Sequence, residues 1–403
     1  MSIKNAIGGI ALIAGTAIGA AVLALPVSTA HLGFIQTIIL YGVCWSFMTL
    51  GALYLLEANL FIGHGTNLIT MANRTLGKGG QYATWGAYLI LLYALCTAYL
   101  AGAGAWIHSV STHFQLGLPP YSATLFATGL TMTVIFLGTA VTDWVNRFLM
   151  LGLIGAFVTL LVLILKHVSH DTLLATSSMI DLRPIPLMIT GFGFAIVIPS
   201  LTAYLHGKPR DLFWVVLLGS SVPLLVYVFW EYAILGTIPL EGDLGLLQIQ
   251  QQGHPVTDVP KALGALLQTK IVPQACAYFS IFALITSLLG VTLSLFDFLA
   301  DGLHLRKNSQ GKALLSLITF IPPLVFALTY PRGFTFALSF AGLFVAFLLG
   351  ILPAMMVWQG RYRLKIAQSY RVPGGKIVIS LTGLFFLLVI IIECYNQYYA
   401  FTH

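Results

Sequence analysis

Long apolar stretches alternate with short polar connections along almost the whole chain. About 20 apolar residues are needed for a helix to cross the hydrocarbon core of a bilayer. Applied along the chain, this length predicts an all-α polytopic membrane protein with eleven transmembrane helices. The predicted spans lie near residues 5–30, 34–62, 81–111, 122–140, 145–167, 185–205, 212–238, 272–301, 313–330, 333–358 and 376–400. The first resembles a secretory signal, but it is longer than a signal core and leads into further spans, so we interpret it as a transmembrane helix.

The first and sixth spans contain glycine-dense patches that interrupt the apolar pattern. They read GTAIGAAVLALP at 15–26 and GFGFAIVIPSL at 191–201. Glycine inside a helix is about 1 kcal/mol less favourable than alanine, and irregular backbone at membrane depth is tolerated only inside protein or beside a watery cavity. Gly15 and Gly19 alone fit a helix-packing motif equally well. The second patch, five spans later, favours unwound segments in both spans.

This spacing predicts two five-helix halves that each open with a broken helix. An odd number of spans in each half places the second half upside down in the membrane, which is the pattern of an inverted repeat. The first repeat would cover residues 1–167 and the second residues 185–358, with residues 376–400 forming an extra transmembrane helix. A pair of such breaks indicates the central binding site of a transporter.

The chemistry of two broken helices suits a zwitterion. A break in the first span exposes N–H groups at the start of its outer half, around Thr16–Gly19, where the helix dipole favours a carboxylate. Carbonyls freed at the ends of the inner half-helices can accept an ammonium group or a cation. No buried lysine or arginine is then required for substrate binding, and we identify none at the middle of the membrane.

Composition agrees with a membrane protein and leaves no room for a sizeable soluble domain. Of the 403 residues, 58% are hydrophobic and 8% are charged, whereas soluble domains carry about 25% charged residues. The net charge of +7 does not indicate a nucleic-acid partner, because the basic residues fall between spans. All four cysteines lie inside apolar segments, so we expect small packing side chains rather than disulfides; they are Cys44, Cys96, Cys276 and Cys394.

The distribution of lysine and arginine predicts that the N-terminus is cytoplasmic and the C-terminus periplasmic or extracellular, because short inner loops carry the excess of positive charge. Fourteen basic residues then lie inside: Lys4, Arg74, Lys78, Arg147, Lys208, Arg210, Arg306, Lys307, Lys312, Arg361, Arg363, Lys365, Arg371 and Lys376. Five lie outside: Lys166, Arg183, Lys261, Lys270 and Arg332. Two connections are long. Residues 63–80 are compatible with a short helix on the inner surface, and residues 239–271 with either a lid or an ordinary outer loop.

Four segments of the chain are especially distinctive: AGTAIGAAVLALP (14–26), LLEANL (55–60), LYALCTAYLAGAG (92–104) and TSLLGVTLSLFDFLADGL (286–303). At these segments, and over essentially its whole length, the chain resembles the hydroxy and aromatic amino acid permease family, and within it the tyrosine-specific branch. The resemblance implies the 5+5 inverted-repeat fold and proton-driven uptake (symport) of an aromatic amino acid across a bacterial inner membrane. It implies no cofactor and no metal. Tryptophan, phenylalanine, serine or threonine remain alternative substrates to tyrosine.

The resemblance also implies a substrate held between the first and sixth spans, with walls from the third, eighth and tenth. The substrate-binding residues carried over are Ala14, Gly15, Thr16, Ala17, Ile18, Gly19, Tyr93, Tyr99, Gly191, Phe192, Gly193, Phe194 and Phe340. One departure concerns the sixth span, where relatives typically have Ser-Phe-Gly-Phe-His-Gly. This chain has Ala195 where those relatives have histidine, and Gly191 where they have serine.

Ionisable side chains inside spans are candidates for ion coupling or gating. These are Glu57, Glu231, Asp297 and Asp301. A structural ion pair is an equally good interpretation of Glu57, and the two aspartates favour an inner gate with Lys4 or Arg147. Glu393 lies outside the repeats and is discounted. Thr286 and Ser287 lie where related sodium-coupled folds have hydroxyl ligands, so sodium stays open beside the expected proton.

Two other classes of membrane protein fit less well. An embedded enzyme would need a catalytic or metal-binding motif, and the sequence contains no H-E-x-x-H, G-x-S-x-G or Cys/His cluster with metal spacing. A channel would need a repeated filter or a ring of charges, and no such repeat is found. We therefore expect a transporter and not an enzyme, with an amino acid, protons and the lipid bilayer as its partners.

Overall fold

The computed structural model describes residues 3–402 except 65, 175–180, 206–207, 270, 306–307, 331–332 and 367–369. Every regular element within these residues is a helix. The first half contains α1 (Ile3–Ala17), α2 (Ala21–Ser28), α3 (Gly33–Ile62), α4 (Leu68–His113), α5 (Pro120–Leu137), α6 (Thr139–Ile164) and α7 (His170–Leu174). The second contains α8 (Ile185–Gly191), α9 (Ile198–Leu205), α10 (Pro209–Leu235), α11 (Leu246–Gln252), α12 (Pro255–Leu267), α13 (Ile271–Gly302), α14 (Ser309–Thr329), α15 (Gly333–Val345), α16 (Leu352–Trp358) and α17 (Gly375–Thr402).

The number of predicted spans is confirmed. Ten helices in the described part of the chain are long and apolar enough to cross a bilayer, and α1 with α2 makes an eleventh span bent by 56°. The sixth span is α8, a 3₁₀ turn (Gly193–Val197) and α9, and the tenth is α15 and α16 joined and continued by π-helical turns. Four charges used to assign the inner and outer sides lie outside the described residues: Lys270, Arg306, Lys307 and Arg332.

One predicted boundary is wrong, whereas the connection before the third span has the expected short helix. This short helix begins at Leu68, where the side chain of Asn67 caps it by accepting a hydrogen bond from the Thr70 N–H at 2.8 Å. Gly77 then takes a φ of 74°, which kinks the helix. Residues 68–76 are thus the short helix expected in this connection. The tenth span continues to Arg363 through a π turn instead of ending near residue 358.

The long connection at residues 239–271 is helical rather than extended. Helices α11 and α12 fill it, and Gln268 follows α12 in the left-handed conformation with a φ of 49°. Helix α12 packs against the start of α13 and also contacts α2 and α4. This packing places the connection over the same end of the bundle as α2.

Small residues let the long helices approach each other closely, as is usual in membrane bundles. A Cβ added to Gly51 of α3 would lie 2.2 Å from the carbonyl oxygen of Leu349, within the π turn of the tenth span. A Cβ added to Gly342 of α15 would lie 2.3 Å from the carbonyl oxygen of Pro186 in α8. These contacts fix the tenth span against both the second span and α8 of the sixth.

A buried ion pair holds the end of the second span to the end of the tenth. Arg361 donates from Nε to Glu57 Oε1 at 2.6 Å and from Nη2 to Glu57 Oε2 at 2.5 Å. The side chains are 4% and 1% exposed. Val372, before α17, donates its N–H to Glu57 and accepts from Arg361, each at 2.8 Å. The extension of the tenth span past residue 358 is what carries Arg361 to this position.

We expect Arg361→Ala to lower the stability of the purified protein by about 3–5 kcal/mol, because it leaves a buried carboxylate unpaired. The measurement is the thermal unfolding midpoint in detergent. Arg147→Ala is the matched control, because Arg147 pairs with Asp143 at 2.8 Å while its side chain is 78% exposed, and exposed pairs contribute about 0–1 kcal/mol. Replacing both buried partners, Glu57→Leu with Arg361→Met, is expected to recover part of the loss. Equal midpoints for Arg361→Ala and the wild type would contradict the assignment.

Candidate functional site at the two helix breaks

The first break separates α1 from α2, and a side chain of the eighth span accepts a hydrogen bond from its backbone. Ile18 still donates its N–H to the carbonyl of Ala14 at 2.9 Å, but the N–H of Ala20 donates instead to Ser287 Oγ on α13 at 3.0 Å. A Cβ added to Gly19 would lie 2.6 Å from the same Ser287 Oγ. Glycine is therefore required here so that the serine hydroxyl can reach the backbone.

The second break follows Gly191 in the sixth span. Phe192 closes α8 by donating its N–H to the carbonyl of Met188 at 3.2 Å, and a tighter 3₁₀ turn over Gly193–Val197 leads into α9. Phe192, Phe194 and Ala195 are completely buried. Ala195 is thus a packed position inside the break.

Tyr227 of α10 joins the two breaks. Its hydroxyl lies 2.7 Å from the carbonyl oxygen of Ala17, at the end of α1, and 2.8 Å from that of Gly191, at the end of α8. A phenol has one hydrogen to donate, so the two carbonyls share it. Tyr227 is 0% exposed. The hydroxyl thus serves two carbonyls that the ends of α1 and α8 leave without helical partners.

Glu231 lies one turn further along α10 and is also 0% exposed. Its two described partners are hydroxyl groups: Tyr41 of α3 donates to Oε2 at 2.8 Å, and Thr29, which follows α2, contacts Oε1. The Thr29 hydroxyl also lies 2.8 Å from the carbonyl of Leu25. If the Glu231 carboxyl is ionised, the single hydrogen of the Thr29 hydroxyl must serve two acceptors, the Leu25 carbonyl oxygen and Glu231 Oε1.

If Glu231 is protonated, each hydroxyl group in this arrangement has one hydrogen and one acceptor for it. The carboxyl O–H then donates to Thr29 Oγ1, Thr29 donates to Leu25, and Tyr41 donates to the second carboxyl oxygen. Burying an ionised carboxylate without a cation is strongly unfavourable. The arrangement therefore suits a neutral carboxyl that can release and regain one proton.

An aromatic cluster connects this carboxyl to the breaks. It consists of Tyr41, Phe192 and Tyr227, whose ring centroids are 6.2 Å apart for Tyr41–Phe192, 5.1 Å for Phe192–Tyr227 and 6.2 Å for Tyr41–Tyr227. Tyr41 thus contacts both Glu231 and the second break. A change in the hydrogen bonding of Glu231 has a direct packed path to Phe192.

The other residues expected to line the substrate site divide into two groups. Tyr99 of α4 is buried and lies within hydrogen-bonding reach of Ser287, beside the first break. Tyr93 instead donates its hydroxyl to the carbonyl of Ile318 on α14 at 2.9 Å. Phe340 of α15 is half-buried and packs edge-on against Phe344 at 5.3 Å. Only Tyr99 of the three has a described contact at a break.

The other coupling candidates are dispersed. Glu57 is paired with Arg361, as described above. Thr286 donates to the carbonyl of Phe282 in its own helix at 2.7 Å. Asp297 is half-buried and Asp301 exposed near the end of α13, while Arg147, a suggested gate partner, pairs with Asp143. Of the acidic candidates, Glu231 alone contacts the aromatic cluster at the breaks.

Sequence reasoning missed three residues that complete this arrangement, Thr29, Tyr41 and Tyr227, and it did not pair Arg361 with Glu57. Tyr227 stands four residues before Glu231 and therefore on the same face of its helix, which is a weak signal. Nothing local marks Tyr41 or Thr29, whose contacts with Glu231 span 190 and 202 residues of sequence.

Comparison with known proteins identifies whole-length relatives. A model described as the tryptophan/tyrosine permease family matches residues 2–394. The tyrosine-specific transport system 1 of Haemophilus influenzae is 35% identical over 384 residues, covering 93% of each chain. Tyrosine-specific transport system 2 of that organism is 31% identical and covers 98% of each chain. Its tryptophan-specific transport protein is 30% identical over 400 residues, covering 96% of this chain and 95% of the relative.

We expect Gly19→Ala to lower stability by about 1–3 kcal/mol, because the added methyl group must displace Ser287 and leave the Ala20 N–H without its acceptor. The thermal unfolding midpoint of the purified protein measures the effect. Gly42→Ala is the control, since a Cβ at Gly42 of α3 meets nothing within 4 Å. That substitution is expected to be neutral or stabilising by up to about 1 kcal/mol. An unchanged midpoint for Gly19→Ala would refute the role of Ser287.

Proposed function

Because the chain belongs to the tryptophan/tyrosine permease family, we propose that it takes up an aromatic amino acid, most specifically tyrosine, together with a proton. Membership of this family makes the chain a multi-pass bacterial membrane protein and a transport protein rather than an enzyme. The substrate, the coupling ion and the orientation are our proposals. The geometry of Tyr227, Glu231 and the two breaks carries the proposals for the substrate and the coupling ion, and the distribution of basic residues carries the proposal for the orientation.

The two breaks support an amino acid as the substrate. The positive end of the α2 dipole lies at the first break and favours a carboxylate, and carbonyls near the ends of α1 and α8 can accept an ammonium group. Phe192 and Tyr99 contribute aromatic surface beside the breaks. The names of the relatives, tyrosine-specific and tryptophan-specific, support an aromatic side chain. Phenylalanine, serine and threonine stay as alternatives, since Ala195 changes the usual pattern of the sixth span.

We propose that residues 1–167 and 185–358 form inverted five-helix repeats and that α17 lies outside them. Breaks in the first and sixth spans, each at a glycine-rich segment, support this division. The substrate would lie between these breaks, with Tyr99 of α4 in its wall. Tyr93 is left out of the wall because its hydroxyl is engaged by α14.

We assign the coupling proton to Glu231. The count of hydrogens around its carboxyl supports a neutral group, and its contact with Tyr41 connects it to the second break. Sodium stays the alternative at the eighth span, where Thr286 donates to its own helix and Ser287 accepts from Ala20, because both hydroxyl oxygens keep lone pairs. Glu57 is paired with Arg361 in the manner of a structural residue.

The orientation that we propose has the N-terminus in the cytoplasm and the C-terminus in the periplasm, following the excess of basic residues in the inner loops. Alkaline phosphatase fused to the C-terminus after α17 is expected to be active, since the enzyme matures only in the periplasm. If the phosphatase fusion is inactive and green fluorescent protein fused at the same position is fluorescent, the C-terminus is cytoplasmic and the proposed orientation is wrong.

The transport proposal is tested with purified protein in proteoliposomes, without sodium. We expect radiolabelled tyrosine to accumulate when an inward proton gradient is imposed, because a gradient of about one pH unit supports about a tenfold accumulation for each coupled proton. A protonophore should abolish accumulation, and unlabelled tryptophan or phenylalanine should compete. Uptake of serine or threonine instead, or a requirement for sodium, would contradict the proposal.

In the same assay Glu231→Gln separates coupling from binding. Glutamine keeps the shape and hydrogen bonds of the protonated carboxyl but cannot release a proton, so gradient-driven accumulation should vanish while tyrosine exchange at equal pH continues. Glu393→Gln is the matched control. Glu393 is also buried in a span and bonded to Ser339 at 2.6 Å, but it is not in contact with the breaks. Accumulation by Glu231→Gln at the wild-type level would exclude Glu231 as the proton carrier.

A further inference from the structure

The Tyr227 hydroxyl occupies an unusual position between two interrupted helices. It is within 2.8 Å of carbonyl oxygens from the inner half of the first span and the outer half of the sixth. In transporters with broken helices, such unwound carbonyls coordinate a sodium ion or a proton. In this chain a side chain of the protein itself fills the place between them.

The surroundings suit a hydroxyl better than a metal cation. The Tyr227 ring is completely buried and packs against the rings of Phe192 and Tyr41, which offer apolar faces rather than further oxygen ligands. The two oxygen-bearing side chains already described beside the breaks have partners of their own: Glu231 has Thr29 and Tyr41, and Ser287 has the N–H of Ala20. A hard cation needs about six oxygen ligands in place of its water, whereas a neutral hydroxyl needs one or two acceptors.

We propose that the Tyr227 hydroxyl is a built-in substitute for a coupling cation. It joins the first break to the second as a bound ion would, and it does so without a net charge, so the join does not depend on sodium. The inference rests on the proposed function and deepens it. Because Tyr227 takes the place of a sodium ion, the proton is left as the coupling ion.

The position of Tyr227 on α10 also links the join to the proton site. Glu231 is four residues later on the same helix, and Tyr41 contacts both side chains. A shift of α10 that accompanies protonation of Glu231 would therefore move the hydroxyl that holds Ala17 and Gly191. A connection made by a sodium ion depends on sodium in solution, whereas this hydrogen-bonded connection depends on the position of α10.

The test uses the purified full-length protein and two variants in equal concentrations of sodium chloride or choline chloride. Tyr227→Asn keeps an oxygen ligand and opens the volume of the ring to a cation with water. Tyr227→Phe removes the hydroxyl and leaves no room for an ion. We expect the wild type to unfold at the same temperature in both salts, and Tyr227→Asn to gain about 2 °C or more in sodium.

Tyr227→Phe should unfold at a lower temperature than the wild type in both salts and show no response to sodium. Its uptake should fall about tenfold, as for the loss of one good hydrogen bond. Tyr278→Phe is the control, because Tyr278 is exposed at the start of α13. If Tyr227→Asn does not fold, Tyr227→Phe decides the question.

Three results would overturn the proposal: a sodium-dependent rise in the wild type, a folded Tyr227→Asn that is indifferent to sodium, or a Tyr227→Phe protein equal to the wild type in stability and uptake. The unfolding measurement needs no substrate. Failure to transport any aromatic amino acid would therefore refute the proposed function. The effect of sodium on the unfolding temperature would still test the role of Tyr227.

Discussion

The need to satisfy backbone hydrogen bonds without water governs this structure. A continuous helix meets that need by itself, but each broken helix leaves N–H and carbonyl groups without partners in the hydrocarbon region. Here the N–H of Ala20 is met by Ser287 of α13, and the carbonyls of Ala17 and Gly191 are met by Tyr227 of α10. The positions of the seventh and eighth spans beside the breaks follow from these bonds.

Two buried glutamates also lack water, and they differ in the protein groups that take its place. Glu57 meets the planar guanidinium of Arg361 in a bidentate pair and also accepts the N–H of Val372, so its charge is balanced and three segments are fixed. Glu231 meets hydroxyl groups, which cannot balance a charge but can complete the hydrogen bonds of a neutral carboxyl. Burial alone makes both of them candidates for coupling, and the partner decides between a structural and a coupling role.

Helix α10 brings the proposed proton site and the substrate site together. Its inward face carries Tyr227 at the breaks and Glu231 one turn further along, and Tyr41 of α3 packs between them. The proposed coupling requires the breaks to change when Glu231 gains or loses its proton. A single helix that carries both groups gives a short mechanical connection, whereas the other acidic candidates, Asp297 and Asp301, lie far along α13.

The sequence by itself determined the number of spans and the location of both breaks. Bilayer thickness fixes the length of an apolar run, and clustered glycines weaken a helix locally, so both features depend on neighbouring residues. The continuation of the tenth span to Arg363 was missed, because a π turn decided it. Only the tertiary structure decided which groups meet at the breaks: the Tyr227–Ala17 and Arg361–Glu57 contacts span 210 and 304 residues. Such contacts depend on how whole helices pack, and no local pattern of hydrophobic and polar positions encodes them.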